Sequence, residues 1–219
     1  DPTKDALFVH NKTRSSQRFR PASSFKVANA IIALDTGLVK NIEEVIPYGG
    51  TQEYFKDWEQ DMTIVQAMKA SNVAVFHTIA RRIGLDQYRN TLMAYGYGNA
   101  DPGGSIDNRF WLNGPLKISA LEQVELFRKI TSAELPADAV AIALTKEMIL
   151  YEETQSYRIY AKTGWAGPEA PQIGWWVGWI EYDDFNYPFA LNIDIQANED
   201  ATKRLTIGKA CIKELLGLK

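Results

Sequence analysis

Two short runs of this chain hold residue types at spacings that chemistry can use. Ser23-Ser24-Phe25-Lys26 sets a hydroxyl and an amine three positions apart at the start of a predicted helix. That spacing puts both on one helical face, within reach of each other. The free N–H groups and positive dipole end of a helix start favour an anion developing at Ser23. Lys26 lies between Phe25 and Val27 on a segment poor in charge, and a lysine buried there has a depressed pKa and exists partly as the neutral amine. The second run, Lys162-Thr163-Gly164, ends a predicted strand. Lys162 and Thr163 make a donor pair for a carboxylate, and Gly164 lets a ligand come close to the backbone. Each run also has a structural use alone, Ser23 as a helix cap and Lys26 as a surface lysine. Together they form a far rarer pairing.

The rest of the titratable inventory narrows the choice. With 24 basic and 27 acidic side chains, the formal net charge is −3, which leaves no broad cationic field for nucleic acid or an anionic membrane. No apolar run approaches the roughly 18 residues of a membrane-spanning helix, so no membrane span is expected. Cys211 is the only cysteine, excluding an intrachain disulfide and every multi-cysteine metal site. The only histidines, His10 and His77, stand far apart outside any ligand motif, so no metal is expected, and a Ser-His-Asp triad would need a long-range coincidence. A hydrolase built from this inventory takes a carboxylate or a lysine as its general base. No phosphate-binding loop is found, since Gly96-Tyr97-Gly98 is followed by Asn99-Ala100-Asp101.

Elements must position those side chains. A short strand is expected near Ala6–His10, then a polar segment to Arg20. The stripe Val27, Ala30, Ile31, Leu34 predicts a helix over 23–36, stopped by Gly37. Helices follow over Thr63–Ala70 and Val73–Arg82, with Ser71 and Asn72 at their join, and over Leu85–Tyr95. Ser119 and Glu122 form a capping box ahead of Leu121, Val124 and Phe127. A further helix spans about Ala137–Leu150. The period then changes: Tyr157–Thr163, Gly174–Tyr182 and Pro188–Ile195 read as an antiparallel meander. Asp200–Leu216 reads as a last helix with a Leu205, Ile212, Leu215 face, and Cys211 and His77 read as packing residues on helices. The class is α+β: one unit, residues 1–219, with a helical lobe at about 23–153 beside a sheet lobe from about 1–22 and 154–219.

Taken in order, Ser23-x-x-Lys26, Ser71-Asn72-Val73, Tyr97-Gly98-Asn99, Phe110-Trp111-Leu112, Lys162-Thr163-Gly164 and Gly174-Trp175-Trp176-Val177-Gly178-Trp179 resemble the class D, oxacillinase-type, serine β-lactamases. The run Pro21–Gly37 is close to the family's own wording, and the likeness extends from about Arg18 to Arg204. It implies a β-lactamase/transpeptidase-like fold, with an antiparallel sheet flanked by N- and C-terminal helices plus the helical lobe. It also implies hydrolysis of small-molecule β-lactams through a serine acyl-enzyme, giving antibiotic resistance. Ser23 would be the nucleophile. Lys26 would become N6-carboxylysine, the general base for acylation and deacylation, with CO2 as a covalent carbamate and no other cofactor. Trp111 would hold the carbamate through its indole N–H, and Val73 and Leu112 would flank it as an apolar gate. Ser71 would relay a proton to the departing nitrogen. Lys162, Thr163 and Arg204 would hold the substrate carboxylate, and the backbone N–H groups of Ser23 and Trp165 would form the oxyanion hole beside Gly164. Tyr97-Gly98-Asn99 would be a structural loop. The mature protein would be periplasmic or extracellular, its signal peptide removed; Asp1–Asp5 has no apolar leader core.

Several positions have plainer readings: Trp111 as a core aromatic, Arg204 paired with Glu199 or Asp200, Ser71 as a helix cap, and Tyr97-Gly98-Asn99 as a turn. Three features depart from the family pattern. Only 22 residues precede Ser23, leaving a sheet edge to be completed; Trp165 stands where Phe or Tyr is usual; and the Asn99–Phe110 loop is about a residue longer. The alternative is a β-lactam sensor or penicillin-binding domain that acylates without efficient turnover. Such proteins tend to carry Asn where this chain has Val73.

Overall fold

Aromatic and β-branched alternation in the last third of the chain builds the main sheet, against which the Ser23 turn, α6 and α8 pack. The computed structural model describes residues 6–167 and 172–218. The helical part comes first: α1 (Lys12–Ser16), a 3₁₀ turn (Ala22–Phe25) continuous with α2 (Lys26–Asp35), α3 (Ile64–Lys69), α4 (Val73–Ile83), α5 (Leu85–Tyr95), α6 (Ala120–Thr131) and α7 (Ala139–Met148). Two minimal strands, β1 (Val45–Ile46) and β2 (Met62–Thr63), pair antiparallel ahead of α3. The main sheet is β3 (Leu150–Glu153), β4 (Tyr157–Ala166), β5 (Gln172–Tyr182) and β6 (Phe185–Ile195), antiparallel in that order, and α8 (Asp200–Leu216) follows.

Local signals explain the helix starts. The Thr63 side chain accepts from the Gln66 N–H while Gln66 accepts from the Thr63 N–H; Ser119 and Glu122 do the same for α6. Asn72 caps α4 and Asp138 caps α7 through their carboxyl or amide oxygens. Gly96, at φ +67°, ends α5 in the left-handed region that favours glycine.

Several expectations fail in the observed fold. Residues 6–10 form no strand; Leu7 and Phe8 are 61% and 56% exposed, so no alternating face is buried. The polar segment after them holds α1 instead, because Asn11 accepts from the Arg14 N–H at 3.0 Å and starts a turn. Ser23 lies inside the 3₁₀ turn, so it is not the cap of α2. The sheet also has a strand the sequence does not announce, β3, whose Leu-Tyr-Glu-Glu carries no alternation.

Period-two alternation in β5 sends Trp175, Val177 and Trp179 into the main core with Phe25 and Phe127, and Trp176 and Ile180 to the other face. That second face is covered by α8, where Ile212 is buried but Leu215 is 57% exposed and outside the expected stripe. Cys211 is likewise exposed, so it is not a packing residue. α8 comes close to the sheet at Gly208, where a Cβ would lie 2.2 Å from Trp176 Cε3. In an exposed helix, Gly→Ala gains about 1 kcal/mol. Here the methyl must displace a buried indole, which costs about 1–3 kcal/mol. Gly208→Ala is therefore expected to lower the unfolding free energy measured in urea, and a rise would show that α8 does not seat on Trp176.

Candidate active site

The 3₁₀ turn brings Ser23 and Lys26 within hydrogen-bond reach, with the hydroxyl nearer the surface than the amine. Ala22, just before Ser23, has φ +49°, a strained value for a residue with a side chain. Ser23 is half-buried and Lys26 is 0% exposed. Lys26 Nζ lies 2.7 Å from Ser23 Oγ and 5.4 Å from the centroid of the Phe76 ring. Burial foremost, then the positive charges of Lys162 and Arg109, push the Lys26 amine well below its ordinary range. A neutral amine at this distance accepts the Ser23 hydroxyl proton; an ammonium would donate instead.

Opposite stands Ser71, held at φ +52° in the join between α3 and α4. Asn72 fixes that join: its Nδ2 donates to Trp58 O at 3.1 Å and its Oδ1 caps Val75. Lys162, on β4, donates from Nζ to Ser71 Oγ at 3.1 Å and to Thr163 O at 3.2 Å. It is buried too, and burial together with the Arg204 charge lowers its amine to about 8. Ser23–Lys26 and Ser71–Lys162 are thus two hydroxyl–amine pairs, and the charge of Lys162 acts on the Lys26 amine.

Strand β4 can lie against the turn that carries Ser23 because residue 164 lacks a side chain. A Cβ on Gly164 would sit 2.9 Å from Pro21 O and 3.1 Å from Ser24 N. Past it, Trp165 is 39% exposed and its Nε1 donates to Gln172 Oε1 at 2.8 Å, holding the indole along the rim. Arg204 leans from α8 onto the same strand end, Nη1 donating to Gly164 O at 3.2 Å while Nε is buried without a protein partner. Of the two acids that offered Arg204 a plainer pairing, Glu199 and Asp200, the second is taken by Lys203.

Trp111 arrives on a π-helical turn, Arg109–Asn113, an irregularity common at functional sites. It is fully buried, stacks on Phe25 at 5.8 Å, and keeps its indole N–H without a hydrogen-bond partner. Phe110 packs edge-on against Phe25 and Tyr88, and Gly114 closes the turn where a Cβ would lie 2.5 Å from Phe110 Cα. Leu112 follows, half-buried, and Val73 opens α4 beside Ser71, 4% exposed. Tyr97-Gly98-Asn99 is a structural link: Asn99 bonds the Lys117 N–H and Pro115 O, and a Cβ on Gly98 would strike Lys117 O.

Sequence reasoning missed Phe76, the ring under Lys26, and Arg109, which with Lys162 acts on its charge. Phe76 was legible only as one member of the apolar stripe of α4. His77 is buried as expected of a packing residue. No helix among the described residues is long and apolar enough to cross a membrane.

A sequence model of the penicillin-binding protein transpeptidase domain matches residues 1–215. Beta-lactamase OXA-48 of Klebsiella pneumoniae is 39% identical over 211 residues, 96% of this chain and 79% of that protein. Beta-lactamase OXA-10 of Pseudomonas aeruginosa is 38% identical over 202 residues, 91% of this chain and 76% of that protein. Among solved structures, the class D β-lactamase YbXI from Nostoc superposes with a TM-score of 0.95 at 38% identity, over 100% of this chain and 92% of the other. FUS-1 (OXA-85), a class D β-lactamase from Fusobacterium nucleatum subsp. polymorphum, gives 0.94 at 37%, over 100% and 91%. Identity at this level across nine-tenths or more of the chain, on the same α+β fold, places the protein in the class D serine β-lactamase family.

Proposed function

We propose that the protein hydrolyses β-lactams through an acyl-enzyme on Ser23, with Lys26 carboxylated by CO2 and acting as general base in both half-reactions. The observation that carries this reading is the 2.7 Å contact between Ser23 Oγ and a lysine nitrogen with no exposed surface. A lysine at its reference pKa is neutral in only about one molecule in 2,500 at pH 7, too few to capture CO2 efficiently. Burial makes the free amine common. Its Nζ bonds the carbon of CO2 and releases one N–H proton to solvent, and the group so formed supplies an anionic base.

An anion in this pocket needs donors. The residues present fit it: the Trp111 indole N–H is buried and unsatisfied, and the Ser23 hydroxyl is within reach. Trp111 would hold the group, with Val73 and Leu112 limiting water around it. Ser23, losing its proton to the base, attacks the lactam carbonyl, and the N–H groups of Ser23 and Trp165 receive the oxyanion, each worth about 3–4 kcal/mol. Ser71, bonded to Lys162, passes a proton to the ring nitrogen as the C–N bond breaks. Lys162, Thr163 and Arg204 bind the substrate carboxylate. Water activated by the same base then cleaves the ester. Resistance to β-lactam antibiotics follows where the enzyme meets them, in the periplasm or outside the cell.

The test is hydrolysis of a chromogenic cephalosporin with and without added bicarbonate. Multiple turnover is expected, raised by bicarbonate and suppressed by mild acid, which returns Lys26 to the ammonium form. A stoichiometric burst followed by silence would instead identify a β-lactam sensor.

A further inference from the structure

The turn that carries Trp111 is fastened at its first residue by charged groups that the proposed reaction does not use. Arg109, at φ +47°, gives both terminal guanidinium nitrogens to the Glu53 carboxylate: Nη1 donates to Oε2 at 2.9 Å and Nη2 to Oε1. The Glu53 side chain is 2% exposed and that of Arg109 23%, so the pair is largely sheltered from water. The remaining Nε–H points to His77 Nδ1 at 3.5 Å. His77 Nε2 is 3.1 Å from Ile106 O. An imidazole that donates from Nε2 presents Nδ1 as an acceptor, so the neutral tautomer serves both contacts. Burial foremost, then the Arg81 and Arg109 charges, keep His77 below its ordinary range, against the pull of Ile106 O and Asp107. Its ring meets the Trp111 indole edge-on, 6.3 Å between centroids. Glu53, from the loop between β1 and β2, and His77, from α4, therefore grip the residue that starts the π-helical turn.

The grip also places charge. Arg109 and Lys162 are the cations acting on Lys26. A positive charge beside that amine disfavours the ammonium and favours an anion at the same position. Both effects run in the direction of CO2 capture.

We propose that Arg109 is a positioning residue for this site: gripped by Glu53 and docked on His77, it sets the turn that aims Trp111, so that carboxylation of Lys26 depends on it. The proposal rests on the reading of Lys26 as carboxylated, and the experiment separates the two. The full-length chain is incubated with ¹³C-bicarbonate, and the carbamate resonance and cephalosporin turnover are followed as bicarbonate is titrated, for wild type, Arg109→Gln and Glu53→Gln. In Arg109→Gln the bicarbonate giving half-maximal turnover is expected to rise by roughly three- to tenfold, with the carbamate signal following the same curve. Glu53→Gln keeps size and one acceptor but loosens the fork; the carboxylate it removes would itself oppose an anion at Lys26, so the rise is expected to be smaller, about twofold. A merely structural role would lower the folded fraction without moving the bicarbonate requirement. Wild type without a carbamate signal would overturn the reading of Lys26. A wild-type signal with unchanged bicarbonate requirement in Arg109→Gln would overturn the role of Arg109 alone. Should that variant not fold, an unchanged requirement in Glu53→Gln decides against it.

Discussion

Lys26→Met is expected to abolish turnover while making the fold more stable. Activity should fall roughly 10⁴-fold or more, the scale of losing a group that acts as a unit with the nucleophile. Stability should rise because the wild-type chain seals an amine where nothing is exposed, with one hydroxyl at 2.7 Å as its hydrogen-bond partner. A thioether of similar length fills the same space over Phe76 without that desolvation, a gain of about 1–3 kcal/mol. The sign with pH follows from the direction of the shift. The folded-state amine is pushed well below 10.5, so the unfolded chain binds the extra proton and wild-type stability rises as pH increases toward that value. In CO2-free buffer the advantage of Lys26→Met should be largest in mild acid and shrink as the pH is raised. Added bicarbonate should raise the wild-type melting temperature only, because a group bound by the native state alone stabilises it by mass action. A variant less stable than wild type at every pH would mean that Lys26 is not a net cost to the fold.

Such a cost shows why part of the site could be read from sequence and part could not. Ser23 and Lys26 are three apart, and either a 3₁₀ or an α turn brings that spacing together, so their meeting survives the change from the expected cap to the observed 3₁₀ turn. The bounds of α5 and α8, Leu85–Tyr95 and Asp200–Leu216, coincide with the expected ones because Gly96 and Gly217 stop them in left-handed conformations. Contacts closed by the tertiary fold leave no such local mark. Lys162 and Ser71 meet across 91 positions and Arg109 and Glu53 across 56; the resemblance to known enzymes placed the first two residues in one site without naming their contact. The π-helical turn was invisible for a similar reason. Arg-Phe-Trp-Leu-Asn has no periodicity of its own and is held by aromatic packing from Phe25 and Tyr88. Strand β3 pairs with β4 although its own residues show no alternation, and residues 6–10, with apolar side chains but no buried face, form no strand.

Trp111→Phe isolates one hydrogen. The substitution keeps an aromatic ring stacked on Phe25 and removes an N–H that has no protein partner. In CO2-free buffer that loss should be neutral or slightly stabilising, since a buried unsatisfied donor costs about 1–3 kcal/mol. Turnover should nevertheless fall by roughly 10²-fold, the scale of a positioned general base losing its support. The loss should be uneven. In acylation the hydroxyl proton has a fallback, because the neutral Lys26 amine already sits 2.7 Å from Ser23 Oγ. In the proposed deacylation Ser23 Oγ would be locked in the ester, and the attacking water would depend on the anionic base that Trp111 would hold. A chromogenic cephalosporin should therefore give a near-stoichiometric burst followed by a slow steady state, and high bicarbonate should restore part of the second phase. Equal losses in burst rate and steady state would assign Trp111 to packing, and an unchanged steady state would remove it from the mechanism.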